Sequence, residues 1–130
     1  KIITVEGCAN TISVAKNLLE TNNSATVKFI NIEFEAYFKN NSFTNVFFDL
    51  IYFDGNHQKQ ATLDYFDKLL PTITNDTVWI FDDIHWSLDM EEAWKTIQNH
   101  PKVTVTIDTF QWGFVFFRQE QPKEHFIIRV

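Results

Sequence analysis

Two stretches of the chain are apolar runs that stop on acid. Residues 47–54 read FFDLIYFD and continue as Gly55-Asn56-His57, while residues 78–83 read VWIFDD and continue as Ile84-His85-Trp86. A carboxylate can hold a hard cation or orient an imidazole, and an imidazole can take a proton near neutral pH. Glu6 closes a third apolar run, IITVE. If these runs are parallel strands, Glu6, Asp54, Asp82 and Asp83 share one edge of a sheet, the edge beyond which open α/β folds bind their ligands. Carboxylates that converge repel one another unless a cation neutralises them, and oxygen donors suit Mg²⁺, Ca²⁺ or Mn²⁺. The same acids could instead cap helices and turns, Asp54-Gly55 being a common turn pair. His57 distinguishes that turn, because it adds a group able to act as a base. His85 beside Trp86 reads equally well as a packing residue, His100 and His125 read as surface or chain-end residues, and no spacing among the four histidines suits zinc.

The elements that must position these residues follow from pattern. Ile2 to Val5 is a short β-branched run, and Ile12, Ala15, Leu18 and Leu19 recur at helical spacing between Cys8 and Glu20, with Asn10 or Thr11 as cap. The polar stretch Thr21-Asn22-Asn23-Ser24 ends that helix, Val27 to Ile32 is a second strand, and Lys39 to Ser42 is a loop. Phe47 to Phe53, apolar apart from Asp49, reads as a strand buried on both faces and therefore central. Leu63, Phe66, Leu69 and Leu70 predict a crossover helix stopped by Pro71. Val78 to Phe81 is the next strand. Ser87 then caps a helix with Asp89, Glu91 and Glu92 in its first turn and Met90, Ala93, Trp94 and Ile97 on one face, ended by Pro101. Val103 to Thr109 and Gly113 to Arg118 form an antiparallel pair. Strands alternating with helices in this way mean an α/β fold with a mainly parallel sheet and an antiparallel C-terminal strand pair.

Composition bounds the function classes. A chain of 130 residues, 45% hydrophobic and with 14 Phe, has enough apolar mass for one domain with an aromatic core. The net charge of −6, without any Lys or Arg cluster, argues against nucleic acid as the partner. Cys8 is the only cysteine, no run reaches the length of a membrane span, and no charged-then-apolar leader opens the chain, so a soluble cytoplasmic protein is expected.

The stretches IITVEGCANTISVAKNLL, FDLIYFDGNHQKQATLDYFDKLLP and VWIFDDIHW, in that order, resemble the second, fourth and fifth strand regions of class I S-adenosylmethionine-dependent methyltransferases, in particular the small O-methyltransferase-like group. The closing EQPKEHFIIRV is similar to a tail of bacterial members, which implies a natural C-terminus. The resemblance implies a Rossmann-like sheet and methyl transfer to the hydroxyl of a small-molecule acceptor. Glu6 then matches the acid that takes the ribose hydroxyls of the cofactor, and Glu33 lies near the adenine contact. Asp54, Asp82 and Asp83 match the positions that hold Mg²⁺ in cation-dependent members, although the last is often Asn there. His57 matches the residue that deprotonates the acceptor. In members that work without a cation, Asp54 contacts the methionine moiety or His57 serves alone.

The pattern departs from the family in one respect. With only Gly7, Gly55 and Gly113, the chain has no glycine-rich loop of GxGxxG type, and it reads as beginning at the second strand. In the family's strand order, 3-2-1-4-5-7-6, that leaves the first-strand position to a segment outside this sequence, to a second copy in a homodimer, or to a rearrangement. An N-terminally truncated single domain, 1–130, is therefore expected. Two further readings stay open: a non-catalytic methyltransferase-like module, and a Mg²⁺-dependent receiver-like phosphoacceptor domain, against which the order of the acids and the lack of a lysine near Asp108-Thr109 both speak.

Overall fold

The computed structural model describes residues 1–20 and 26–129. The helix break expected at Thr21 to Ser24 lies outside the described residues. The chain divides into two compact units, Lys1–Ser42 and Phe43–Val130.

In the first unit, β1 (Ile2–Glu6) and β2 (Val27–Asn31) run parallel in register from Ile2↔Val27 to Glu6↔Asn31. Their crossover is α1 (Ala9–Glu20), which buries Ile12 but leaves Leu18 and Leu19 exposed. A second helix, α2 (Phe34–Asn40), replaces part of what sequence pattern assigns to loop. It has only seven residues, no side-chain cap on Glu33 and no fully buried position, so neither a clean apolar stripe nor a start signal announces it.

The second unit is a five-stranded sheet in the order β3-β4-β6-β5-β7. It comprises β3 (Leu50–Phe53), β4 (Val78–Asp82), β5 (Val105–Asp108), β6 (Trp112–Phe116) and β7 (Glu124–Ile127). β3 and β4 are parallel; β6 is antiparallel to both β4 and β5; β7 is parallel to β5. Because β6 alone is reversed, the carboxyl ends of β3, β4, β5 and β7 all emerge on one edge. The helices α3 (Lys59–Leu69) and α4 (Leu88–Asn99) connect the strands and pack together. The core joins Phe66 and Leu69 of α3, Met90, Ala93, Trp94 and Ile97 of α4, and the strand residues Trp79, Phe81 and Val115. Aromatic contacts run through it: Phe53 stacks on Phe81 at 4.3 Å, and Trp79 meets Phe66, Phe53 and Phe117 edge-on. The expected apolar face of α4 and its Ser87 cap are both present, the Ser87 hydroxyl accepting the Met90 N–H at 3.2 Å.

The sheet corrects two expectations. The run Phe47 to Phe53 is a strand only over Leu50–Phe53, and among the described residues β3 pairs with β4 alone, at the end of its sheet and not at its centre. Phe47, Leu50 and Tyr52 are exposed, so the continuous apolar run does not mark burial on both faces. The segment Glu124–Ile127, read only as a tail, is a strand whose residues are all exposed and which is held to β5 by backbone pairing and by the His125–Thr106 side-chain bond at 2.7 Å. The two parallel strands β2-β1 and the order β3-β4-β6-β5 match positions 3-2 and 4-5-7-6 of the expected sheet, with β7 added.

Candidate functional site

In the first unit the turn after β1 carries Glu6. The Glu6 carboxylate accepts the Cys8 N–H at 2.6 Å, while the Asn31 side-chain amide donates to the carbonyls of Glu6 and Gly7 at 2.7 and 3.0 Å. The end of β2 thus fixes the turn that presents the acid. The Glu33 carboxylate lies against Gly7, close enough that a Cβ there would collide with it. Glu6 and Glu33 are therefore brought to one turn. Hydrogen bonds from Thr11 lower the pKa of the exposed Cys8 thiol.

In the second unit three acidic strand ends meet one edge. Asp54 follows β3 and leads through Gly55 and Asn56, the latter at φ 45°, to His57. The next turn is anchored from α4: Asp89 accepts the N–H of Lys59, the first residue of α3, at 2.6 Å, and Glu92 pairs with the Lys59 ammonium at 2.7 Å. That anchorage holds His57 just ahead of the helix. Its Nε2 lies 3.8 Å from Asp54 Oδ1 and 3.8 Å from Asp83 Oδ2, shielded from solvent and without a hydrogen-bond partner in the structure. Asp83 reaches it because its backbone is left-handed, φ 53°, an uncommon state for a non-glycine residue that turns the chain sharply at the end of β4. The Trp86 indole flanks the imidazole at 6.4 Å.

Asp82 is not part of this group. Along a strand side chains alternate, and Asp82 points with Tyr52 and Trp112 to the opposite face, where it accepts the Tyr52 hydroxyl at 2.9 Å. Although the side chain as a whole is exposed, partial desolvation of its phenol, and then the Asp82 carboxylate it bonds, push Tyr52 up to about 12. Among the described residues no three His, Cys, Asp or Glu side chains gather to hold a metal ion. The expected Mg²⁺ set of Asp54, Asp82 and Asp83 thus does not fit this donor arrangement, and no chemical step is derived through a cation.

Sequence pattern missed the third acid-bearing end. Asp108, buried at the end of β5, accepts from His85 Nε2 at 2.8 Å, from the Phe110 N–H at 2.8 Å and from Arg129 at 3.0 Å. Burial alone would raise its pKa, but these hydrogen bonds outweigh it and hold the carboxyl below its ordinary value. The signal was present, an acid closing an apolar run as Asp54 and Asp82 do. Its partner Arg129 lies on a segment that pattern did not read as structure. A cleft of about 300 Å³ lies beside these residues, lined by Asp83, His85, Trp86, Phe110 and Gln111.

The arrangement has relatives among solved structures. An O-methyltransferase from Bacillus cereus in complex with SAH superposes with a TM-score of 0.65 at 18% identity, over 89% of this chain and 62% of that one. A Klebsiella pneumoniae protein proposed as an O-methyltransferase gives 0.66 at 16% identity, over 89% and 61%. At such identities the likeness is one of fold. The chain spans about three fifths of the length of these structures. No curated protein sequence matches it. A sequence profile described as a methyltransferase domain matches residues 1–84, running through both units, and the chain belongs to that family.

Proposed function

We propose that this chain is part of an S-adenosylmethionine-dependent methyltransferase that transfers a methyl group to a hydroxyl of a small-molecule acceptor. The observation that carries the reading is His57 Nε2, a shielded, unpartnered nitrogen between two carboxylates. Buried polar atoms are rarely left unpaired, and, unlike the unpaired indole nitrogens of the core residues Trp79 and Trp94, this one lies among acids at the strand ends, where a ligand can complete the set. An acceptor hydroxyl at that nitrogen would donate its proton to the imidazole, and Asp54 and Asp83 would stabilise the imidazolium formed, as acid–base pairs in water-poor sites do. S-adenosylmethionine supplies, when bound, a sulfonium methyl group whose C–S bond breaks as the acceptor oxygen attacks, leaving S-adenosylhomocysteine and the methyl ether. Glu6, with two carboxylate oxygens at a fixed turn, suits a vicinal diol such as the ribose 2′,3′-hydroxyls. Glu33, against Gly7, lies beside it for the adenine side. We also propose a cytoplasmic location, with which the single exposed Cys8 is in keeping, since lone thiols suit a reducing compartment.

The test is a methyl-transfer assay with S-adenosylmethionine and a panel of hydroxylated small molecules, run on the natural protein containing this domain. His57→Ala should lower kcat by about 10²–10⁴-fold, the usual worth of a general base, while cofactor affinity holds. Undiminished turnover in that variant would remove His57 from the chemistry. Cofactor binding without transfer to any acceptor would favour a non-catalytic module.

A further inference from the structure

The residues around Asp108 form a second construction that the proposed chemistry does not use. His85 offers Nε2 to Asp108 at 2.8 Å and Nδ1 to Glu91 of α4 at 3.3 Å, and its ring lies under Phe110 at 5.4 Å with 20° between planes. Arg129 closes the set: it donates to both the carbonyl and the carboxylate of Asp108, and its guanidinium lies 5.7 Å from the Phe110 ring. Phe110 itself is unusual. It sits at the tip of the β5–β6 hairpin with φ 78°, a left-handed conformation that strains a bulky L-residue and persists only where surroundings over-determine it. Here they do, through the Asp108 bond to its N–H, the imidazole beneath its ring and the arginine. Yet 62% of Phe110 remains exposed, so its ring is held but not buried.

What that ring faces gives it a use. Phe110 lines the 300 Å³ cleft with Asp83 and Trp86, and the same Asp83 and Trp86 flank His57. The cleft therefore opens beside the group proposed to take the acceptor's proton. We propose that Phe110 is a specificity-determining wall of the acceptor site, and that His85, Asp108 and Arg129 are positioning residues that clamp it in place. This rests on the methyltransferase reading above. The Asp83 carboxylate in the lining disfavours an anion, so the cleft suits a flat acceptor that carries no negative charge next to its hydroxyl.

Two measurements on the natural protein separate this inference from the reading beneath it. Hydrogen–deuterium exchange needs no activity: His85→Ala should accelerate exchange of the Phe110 and Gln111 amides at least tenfold and leave β4 and α3 unchanged. Unchanged hairpin exchange, or acceleration spread over the whole second unit, would overturn the clamp. In methyl transfer, His85→Ala and Phe110→Ala should each raise the acceptor KM with little change in kcat, and the double variant should be no worse than Phe110→Ala alone. Additive increases would show that His85 acts independently of Phe110 and would overturn its positioning role. A wild-type protein without methyl transfer would sink the proposed function, while the exchange result would still decide the clamp.

Discussion

Gly113 offers the sharpest test of how the second unit is packed, because its lack of a side chain is what lets α4 lie on β6. A Cβ at this position would meet Trp94 Cζ3 and Cη2 at 2.6 Å and Ile84 Cγ2 at 3.0 Å, against the ~3.5–4.0 Å at which carbon atoms attract. Neither neighbour can yield easily, Trp94 being 3% exposed and Ile84 1%. Gly113→Ala should therefore cost about 1–3 kcal/mol as overpacking. Alanine recovers about 0.4–1 kcal/mol by restricting the unfolded chain, since Gly113 has no positive φ that alanine would strain. The net expectation is a loss of about 1–2 kcal/mol, read from the urea midpoint at unchanged slope. The prediction sharpens because the two nearest atoms lie on the outer edge of the fused indole, beyond the span of a single phenyl ring. Trp94→Phe alone should destabilise by leaving a void, but in the Gly113→Ala background the new methyl enters that void, so the double variant should be more stable than the sum of the singles. Additive losses, or a Gly113→Ala midpoint equal to wild type, would refute the packing described.

Three further outcomes are expected. Asp108 has a folded pKa below its unfolded value near 3.8, so its carboxylate adds stability in full above that pH and the contribution is lost as pH falls through the folded value; as pH is taken down from that value, urea midpoints should fall more steeply in wild type than in Asp108→Asn, and parallel curves there would contradict the assignment. Tyr52 has a folded pKa raised to about 12, so whatever stability its protonated phenol adds is intact below the ordinary value near 10 and disappears as pH rises towards 12; absorbance titration should show a late phenol that Tyr52→Phe removes and Asp82→Asn brings down, and a late phenol surviving Tyr52→Phe would place it elsewhere. Ser87→Ala should cost about 1 kcal/mol in unfolding free energy as a lost N-cap, and a loss well under half that would mean that the Met90 N–H finds another acceptor.

Sequence pattern located the elements that satisfy one strong rule and missed those held by a weak one. α4 was legible in full, from the Ser87 cap through Met90, Ala93, Trp94 and Ile97, because one helix face and one sheet face bury each other and the period shows. β7 was not, since its four residues are exposed and it is held by backbone pairing with β5 and the Thr106–His125 side-chain bond, neither of which shows as an apolar period. α2 fell between, apolar enough to suggest burial but too short to establish a period. The run before Asp54 misled in the opposite sense: Phe47, Leu50 and Tyr52 look like core residues and are exposed, since an apolar residue states a preference and not a location.

The site shows the same division at finer scale. That Asp54, Asp82, Asp83 and Asp108 reach one edge follows from strand direction, and parallelism among β3, β4 and β5 was inferable from helical crossovers. Which of them act together was not, because that depends on alternation about the strand and on a single backbone angle. Asp82 continues the pleat of β4 and so joins Tyr52 on one face, whereas Asp83 escapes the pleat at φ 53° and swings to His57. Adjacent residues of identical chemistry are thus assigned to different partners by one dihedral. Reading the pair as a single cation clamp assumed that neighbours in sequence share a direction, which strands forbid and turns restore only locally. The dihedral also makes the assignment testable. Asp83→Gly, which relieves the left-handed residue of its Cβ, should preserve or raise stability while removing one of the two carboxylates at His57, whereas Asp82→Ala should leave both of those carboxylates in place and remove the acceptor of the Tyr52 hydroxyl and of the Asp83 N–H. A pair of variants with indistinguishable effects on methyl transfer would mean that both carboxylates serve one centre after all.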